Sequence, residues 1–395
     1  MKEDSVTAFE DELREGLRRV KPVNAHSHHF SGEDYRGMDL MGVLRGSYCQ
    51  WMDDADHFAA DMEGYLRRNE CNSYFRWLFA ALEHLYGLPL TPESADEISA
   101  RIRQAHSDPG KHIRILKEEC NYERVLLDCY RSPGSDHGHP ELFAPVLRCN
   151  MFAVCSNKEQ SDHNGNNPFR FFGRDFKDFG EYLEEIRLAV RRYPAVKFAI
   201  AYDRGNRIRN FQKERAQKAF MDPNPSPGQQ RDYYEYMVYA VCRMAGEAGI
   251  PVQFHTGLGR LRQTAPMYLR RLIEALPETR FDLFHGGFPW TDDMLGLLHN
   301  MKNVWVNLCW MPIVSFSASV RFLREALEVA DAHRILWGCD TWTSEESYGA
   351  MLATLHCLAK ALAGMVRDGA ISKACARYAA ERIWRGNGLE LYRLE

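Results

Sequence analysis

The sequence predicts a (β/α)8 barrel, an α/β fold, with a helical insertion after its first strand. Eight short apolar runs punctuate the 395 residues, and stretches of helical hydrophobic period separate the later ones. Apolar runs spaced by helices are how a parallel sheet buried on both faces is written in sequence. Right-handed crossovers then leave an open doubly wound sheet or a closed barrel, and eight units over this length favour closure. Finally, the residues with metal or proton chemistry fall just past the runs, where a barrel gathers its sites at the C-terminal mouth.

The elements follow in order. Phe9, Leu13 and Leu17 lie at helical spacing in an acidic-basic stretch, and Thr7 with Glu10 offers a capping box for it. The candidate strands are residues 19–25, 123–129, 144–153, 196–201, 251–255, 280–284, 303–308 and 334–339. Helical period marks 233–248, 266–276, 294–301 and 320–330 between the later strands. It also marks 343–365, opened by a Thr343/Glu346 capping box and carried on by Tyr348, Met351, Leu355, Leu358 and Leu362. Residues 30–117 do not alternate. Tyr74, Trp77, Leu78, Leu82 and Leu85 line one helical face there, which reads as an insertion capping the mouth of a single domain spanning 1–395. A separate helical domain is the alternative. Residues 156–174, rich in Asn, Asp and Gly, read as a long loop of the kind that is functional or disordered.

Composition narrows the function classes. Lys and Arg number 50 against 54 Asp and Glu, with no basic run, so nucleic acid is not the expected partner. Apolar stretches such as 195–202 fall far short of the roughly 20 residues a bilayer demands, so no membrane span is expected. Eleven scattered cysteines without paired spacing argue against a disulfide framework or a zinc ribbon. With no apolar signal core near the start, the expectation is a reduced, cytoplasmic protein acting on a small molecule, with a homo-oligomer compatible.

The chemistry collects at four strand ends. His26 and His28 sit in VNAHSHHF, His255 ends PVQFH, His285 ends FDLFH, and Asp340 ends RILWGCD. On an extended strand the two imidazoles of H-x-H lie on the same side, so both can bind one ion. A third imidazole and a carboxylate complete an N/O set suited to zinc, with room for water. A second H-x-H, His137 and His139 in SDHGHPE, follows no apolar run and reads as loop. HTGLGR has Gly257 and Gly259 but Arg at 262, so no dinucleotide fingerprint is present. Arg148, Arg204 and Trp310, in or just after the third, fourth and seventh strands, are candidates to meet substrate, arginine by a bidentate grip on a carboxylate. Each arginine could equally form a rim salt bridge. Trp51 and Trp77, in the insertion, read as core before lid.

NAHSHH, PVQFHTGLG, LFHGGFPW and ILWGCD together resemble the metal motifs of the amidohydrolase superfamily, in their order along the chain. RIWRGNGLELYRL resembles the closing helix of its amidohydrolase-2 branch, which includes the domain fused to glutamine-synthetase-like proteins; uronate isomerases are more distant relatives. The resemblance runs from about Val20 onward. It implies that His26, His28 and His255 are metal ligands, that His285 polarises a substrate oxygen, and that Asp340 binds the metal and shuttles a proton. It also implies a divalent metal, zinc first, with manganese or nickel as alternatives. Lys197 in VKFAIAYDRG falls where some relatives carry a carbamylated lysine bridging two metals and others a substrate-holding base; a substrate or structural lysine is the first reading. Two departures, Arg260 in place of an acidic residue and Asp203 inserted between Tyr202 and Arg204, fall near the mouth, so the substrate is not carried over. The expected activity is hydrolysis of a C–N or C–O acyl bond by metal-activated water. Sugar-acid isomerisation of the uronate isomerase kind or decarboxylation is the alternative, and a ligand-binding barrel without turnover stands third.

Overall fold

The structure, a computed structural model, describes residues 3–394. All eight expected strands are present: β1 Val23–Ser27, β2 Arg124–Leu127, β3 in two segments (Phe143–Pro145 and Leu147–Arg148), β4 Val196–Phe198, β5 Val252–Phe254, β6 Phe281–Leu283, β7 Val304–Asn307 and β8 Ile335–Leu336. Neighbours pair in parallel and in chain order. Val146 is the joint of β3. Its N–H donates to Leu127 at 2.8 Å, while the next N–H, of Leu147, donates to Ala195 at 3.1 Å.

The last strand returns to the first. Ala25 donates to the Trp337 carbonyl at 3.1 Å and Asp340 donates to the His26 carbonyl at 2.8 Å, which closes the (β/α)8 barrel. Gly338 permits this approach: a Cβ there would lie 2.8 Å from the His26 nitrogen.

Period two sorts the strand side chains. Val125, Leu127, Leu147, Val196 and Phe198 join the large core shared with the surrounding helices. Leu126, Ala144, Val146, Ala195 and Leu336 form a second cluster inside the barrel, packed with Leu391 and Tyr392 from the C-terminal helix. One step further along β2, β3 and β4, the same inward face carries Asp128, Arg148 and Lys197, so the barrel turns from apolar floor to polar mouth within one layer.

Between β1 and β2 the chain forms short helices from Leu40 to Arg114 and a π-helical turn, Ile115–Glu119. The longest, Ser73–Tyr86, packs on the helix after β8, Ser344–Arg367, and buries Trp77, Leu78 and Leu82 in the core that also holds the outward faces of the strands. Leu85 packs against that core only partly buried. Ser344–Arg367 is long and apolar enough to cross a membrane by length and composition alone, a property of the whole helix and not of one apolar run, but 83% of its apolar window is buried in the protein. The eleven cysteines are all free, nine of them buried.

Several boundaries differ from the sequence expectation, each for a local reason. The first helix is Glu3–Arg18, so Thr7 lies inside it and cannot be its cap. Residues 19–22 precede β1. The third strand stops at Arg148 because Asn150 accepts from Ala199 N–H at 2.8 Å, replacing the next ladder bond, and Asn150–Val154 turns helical. The fourth stops at Phe198, since the N–H groups of Asp203, Arg204 and Gly205 all turn back onto the Ile200 carbonyl. Residues 266–276 open as a 3-10 turn before the helix Arg270–Ala275. The long loop holds one helix, Pro168–Phe172, capped by Asn167. Thr343 caps its helix as expected, but Glu346 reaches the Trp342 N–H rather than closing the box on Thr343.

Candidate metal centre

Four strand ends deliver side chains to one point. His26 and His28 leave β1 around a bulge, where pairing with β2 slips by one residue between Asn24 and Ser27. Such a slip re-aims side chains, and here it lets His26 join the site although its neighbour Ala25 already faces the barrel floor. His285, Trp310 and Asp340 follow β6, β7 and β8, and all three adopt left-handed backbone, with φ of 63°, 64° and 55°. Non-glycine residues in that region cost energy and cluster at functional sites. Three in a row at consecutive strand ends mark this mouth as the place where the fold accepts that cost.

The donor atoms converge. The Nε2 atoms of His26 and His28 lie 3.3 Å apart, and one Asp340 carboxylate oxygen lies 2.9 Å from His28 Nε2 and 3.6 Å from His26 Nε2. The other carboxylate oxygen lies 3.6 Å from His285 Nε2. Ligands around one tetrahedral ion with bonds of 2.0–2.1 Å are separated by about 3.3 Å, so the spacing of His26, His28 and Asp340 fits a single small cation.

Proton counting leads to the same place. His28 donates Nδ1–H to the Asp128 carbonyl at 2.8 Å and therefore aims a lone pair from Nε2 into the site. His285 does likewise, its Nδ1–H on the Cys309 carbonyl at 2.8 Å. His255 faces two acceptors, the Leu258 carbonyl at 2.5 Å from Nε2 and His285 Nε2 at 3.1 Å from Nδ1. A neutral imidazole has one N–H to share between them. Burial, with the charges of His285 and Lys197, holds His255 well below its ordinary pKa, so a second proton is disfavoured. Burial likewise pulls His285 down to about 4 and His26 well below the usual range, with Lys197 the next cause for His26. Buried neutral imidazoles with lone pairs turned inward beside a carboxylate form a donor set that suits a divalent ion. Burial pushes the Asp340 carboxyl up. Its close contact with His28 and the electrostatic pull of His26, His28 and His285 outweigh it and keep the carboxylate well below its ordinary range.

The sequence-read residues do not all arrive alike. His26, His28 and Asp340 form one donor group, with His285 across the Asp340 carboxylate. His255 stands behind His285. Lys197 is buried on β4 with Nζ 3.3 Å from His26 Nε2 and 3.6 Å over the Phe284 ring, and burial pulls its ammonium down to about 8. Arg148 lies within the barrel, its guanidinium 2.6 Å from Asp128 and 4.0 Å above the Tyr130 ring. Arg204 is exposed, on the loop after β4. Trp310 packs its ring 5.4 Å from His285 and 4.7 Å from Tyr48. Trp77 is core, but Trp51 is 61% exposed and packs edge-on to Tyr48 and Trp310, at the mouth and not in the core. His137 donates Nε2–H to the His29 carbonyl at 3.0 Å, and neither it nor His139 falls in a group of potential ligands.

Two tyrosines at the site carry no sequence signal of their own. Tyr48, from the insertion, donates its hydroxyl to Asp340 at 3.3 Å, and Tyr130 places its hydroxyl 3.1 Å from His28 Nε2. Burial raises both phenols well above their ordinary pKa, so both remain protonated donors. Tyr48 is anchored by its own N–H on Glu346, which ties the insertion to the helix after β8. Tyr48→Phe is expected to lower kcat by about tenfold with metal content unchanged; an unaltered kcat removes the hydroxyl from the chemistry.

A family model described as Amidohydrolase matches residues 181–394, more than half of the chain. The chain belongs to the amidohydrolase family. As a member of that family, its chain resembles glucuronate isomerase from Caulobacter crescentus in fold, with a TM-score of 0.79 at 14% identity, covering 100% of this chain and 96% of the other. Uronate isomerase from Thermotoga maritima gives a TM-score of 0.73 at 14% identity, covering 98% and 97%. Among curated proteins, Protein fluG of Emericella nidulans is 30% identical over 195 residues. That match takes in 47% of this amidohydrolase-family chain and only 22% of the longer protein.

Proposed function

We propose that the chain is a metal-dependent hydrolase acting on a C–N or C–O acyl bond of a small, acidic substrate. The observation that carries this reading is the Asp340 carboxylate, set within 2.9–3.6 Å of three inward-facing imidazole nitrogens and 3.3 Å from the Tyr48 hydroxyl. His26, His28 and Asp340 would hold a divalent ion, zinc in the first instance and manganese or nickel as alternatives, with His255 drawn in beside His285. Such an ion supplies Lewis acidity, polarising a carbonyl and acidifying water.

The chain's own groups then divide the work. Asp340 accepts a proton at its outer carboxylate oxygen and returns it to the leaving group. The Tyr48 hydroxyl donates to negative charge developing on a substrate oxygen. His285, with its proton committed to Cys309, presents an acceptor to the pocket, so it takes or positions a proton and does not act as an oxyanion donor. Lys197 keeps positive charge beside His26 for an acidic substrate. The insertion and the barrel act as one domain in this scheme, because Tyr48 comes from one and Asp340 from the other.

The His285 tautomer also favours a second reading, sugar-acid isomerisation. That chemistry moves a proton between neighbouring carbons and calls for paired acceptors such as Asp340 and His285. The match to glucuronate isomerase, which extends over the whole chain and includes the insertion, supports it. Metal-replete protein incubated separately with amides, lactones and uronates separates the readings by product mass. Hydrolysis adds one water, and isomerisation conserves mass. No turnover across all three classes rejects both.

The metal assignment has a built-in control. Protein purified without chelators is expected to hold about one ion per protomer. Replacing His137 and His139 together by alanine leaves that value unchanged, whereas His28→Ala removes most of it. Loss of metal in the first variant would mean that the wrong H-x-H had been assigned.

A further inference from the structure

A second cluster of charge lies beside the mouth and is not used by the chemistry above. The loops after β4 and β5, with the helix Pro227–Glu247, line an open cavity of about 430 Å3. Five arginines line it: Arg204, Arg207, Arg231, Arg260 and Arg262. Among the described residues none of the five forms an ion pair with Asp or Glu. Elsewhere the arginines of this chain pair freely, as Arg187 does with Glu247 and Arg385 with Glu123.

Two carboxylates also line the cavity, but both are engaged elsewhere. Asp203 accepts from Asn150 at 2.8 Å and from the His163 N–H at 3.1 Å, and pairs with the His163 ring. Glu235 accepts from the Arg209 and Asn210 backbone N–H groups at 2.8 and 2.6 Å. The guanidinium of Arg204 lies 5.8 Å over the Tyr234 ring and that of Arg207 4.6 Å over Tyr268, aromatic supports that hold cations without neutralising them. All five are exposed, so water screens part of their mutual repulsion, and an anion seated in the concavity would offset the rest.

The two loops are fixed to one another. Asn206 N–H donates to the Gln263 carbonyl at 2.9 Å, and a Cβ on Gly205 would overlap Gln263. The Asn206 side chain donates to the His255 carbonyl at 2.9 Å, which ties the loop that carries Arg204 and Arg207 to the backbone at the end of β5.

We propose that this cavity is a binding site for a small polyanion, one carrying several charges on neighbouring oxygens, as diphosphates and tricarboxylates do. Arginine forks match adjacent anionic oxygens bidentately. The volume suits a metabolite-sized group. The proposal does not rest on the hydrolytic reading.

Calorimetric titration of the metal-replete protein with inorganic pyrophosphate, citrate and acetate tests it. Saturable one-site binding is expected for pyrophosphate or citrate, whichever the site prefers, with acetate at least about tenfold weaker. Raising salt from about 50 to 200 mM should weaken it further. The variant Arg231→Gln/Arg262→Gln, checked by thermal melting against the parent, should lose about tenfold or more in affinity while its metal content stays constant. Equal binding by parent and variant places the anion on the metal or elsewhere and overturns the proposal. So does the absence of binding by either polyanion, or a single-stranded oligonucleotide that binds more tightly than both and would make the patch a nucleic-acid surface.

Discussion

Asp340→Asn is expected to lower kcat by roughly 10^2–10^4-fold, the range general acid-base catalysis contributes. Asparagine keeps the shape of the side chain and tolerates left-handed backbone as readily as aspartate, so the φ of 55° adds no new cost. Its amide cannot take up a proton. The substitution also removes the negative charge beside His26, His28 and His285, so some loss of metal affinity accompanies it. Measuring kcat in variant protein reloaded with metal to the parental content isolates the proton-transfer role. Parental turnover in that preparation would sink it. If turnover returns in proportion to metal loading, Asp340 serves as a ligand alone.

The barrel was legible because each strand is short, buried on both faces and bounded by chemistry that cannot sit in a strand. The eight runs therefore stood out even where their ends did not. Ends were set by side chains from elsewhere, such as Asn150 replacing a ladder bond at Ala199, and no local pattern encodes that. His26, His28, His285 and Asp340 were visible because each directly follows or ends its run. Tyr48 and Tyr130 were not, since a tyrosine in a helical insertion or after a strand looks like core until the fold brings it to Asp340 or His28. The π-helical turn at Ile115–Glu119 was equally silent. The placement of His255 shows the limit from the other side. The strand-end rule brought it to the mouth, but only geometry could show its ring held between Leu258 and His285.

Arg148→Met is expected to destabilise the protein by about 3–5 kcal/mol, the usual cost of leaving one partner of a buried ion pair alone. Arg148 and Asp128 are both inaccessible, 2.6 Å apart, and one Asp128 oxygen already lacks a hydrogen-bond partner. Methionine can still pack on the Tyr130 ring, so lost packing contributes less than the stranded carboxylate. The double variant Arg148→Met/Asp128→Asn should recover much of the loss, since it removes the unpaired charge and keeps an acceptor in place. Denaturant midpoints of the parent, the two single variants and the double variant give the coupling directly. Function supplies the second readout. The Asp128 backbone carbonyl orients His28, so displacement of this strand end should lower metal affinity in the single Arg148→Met variant and restore it in the double. A direct grip of Arg148 on substrate predicts the opposite pattern: a raised KM in both variants that lack the arginine, with stability and metal content near parental. The two roles are thus separated by whether the Asp128 change rescues the Arg148 change.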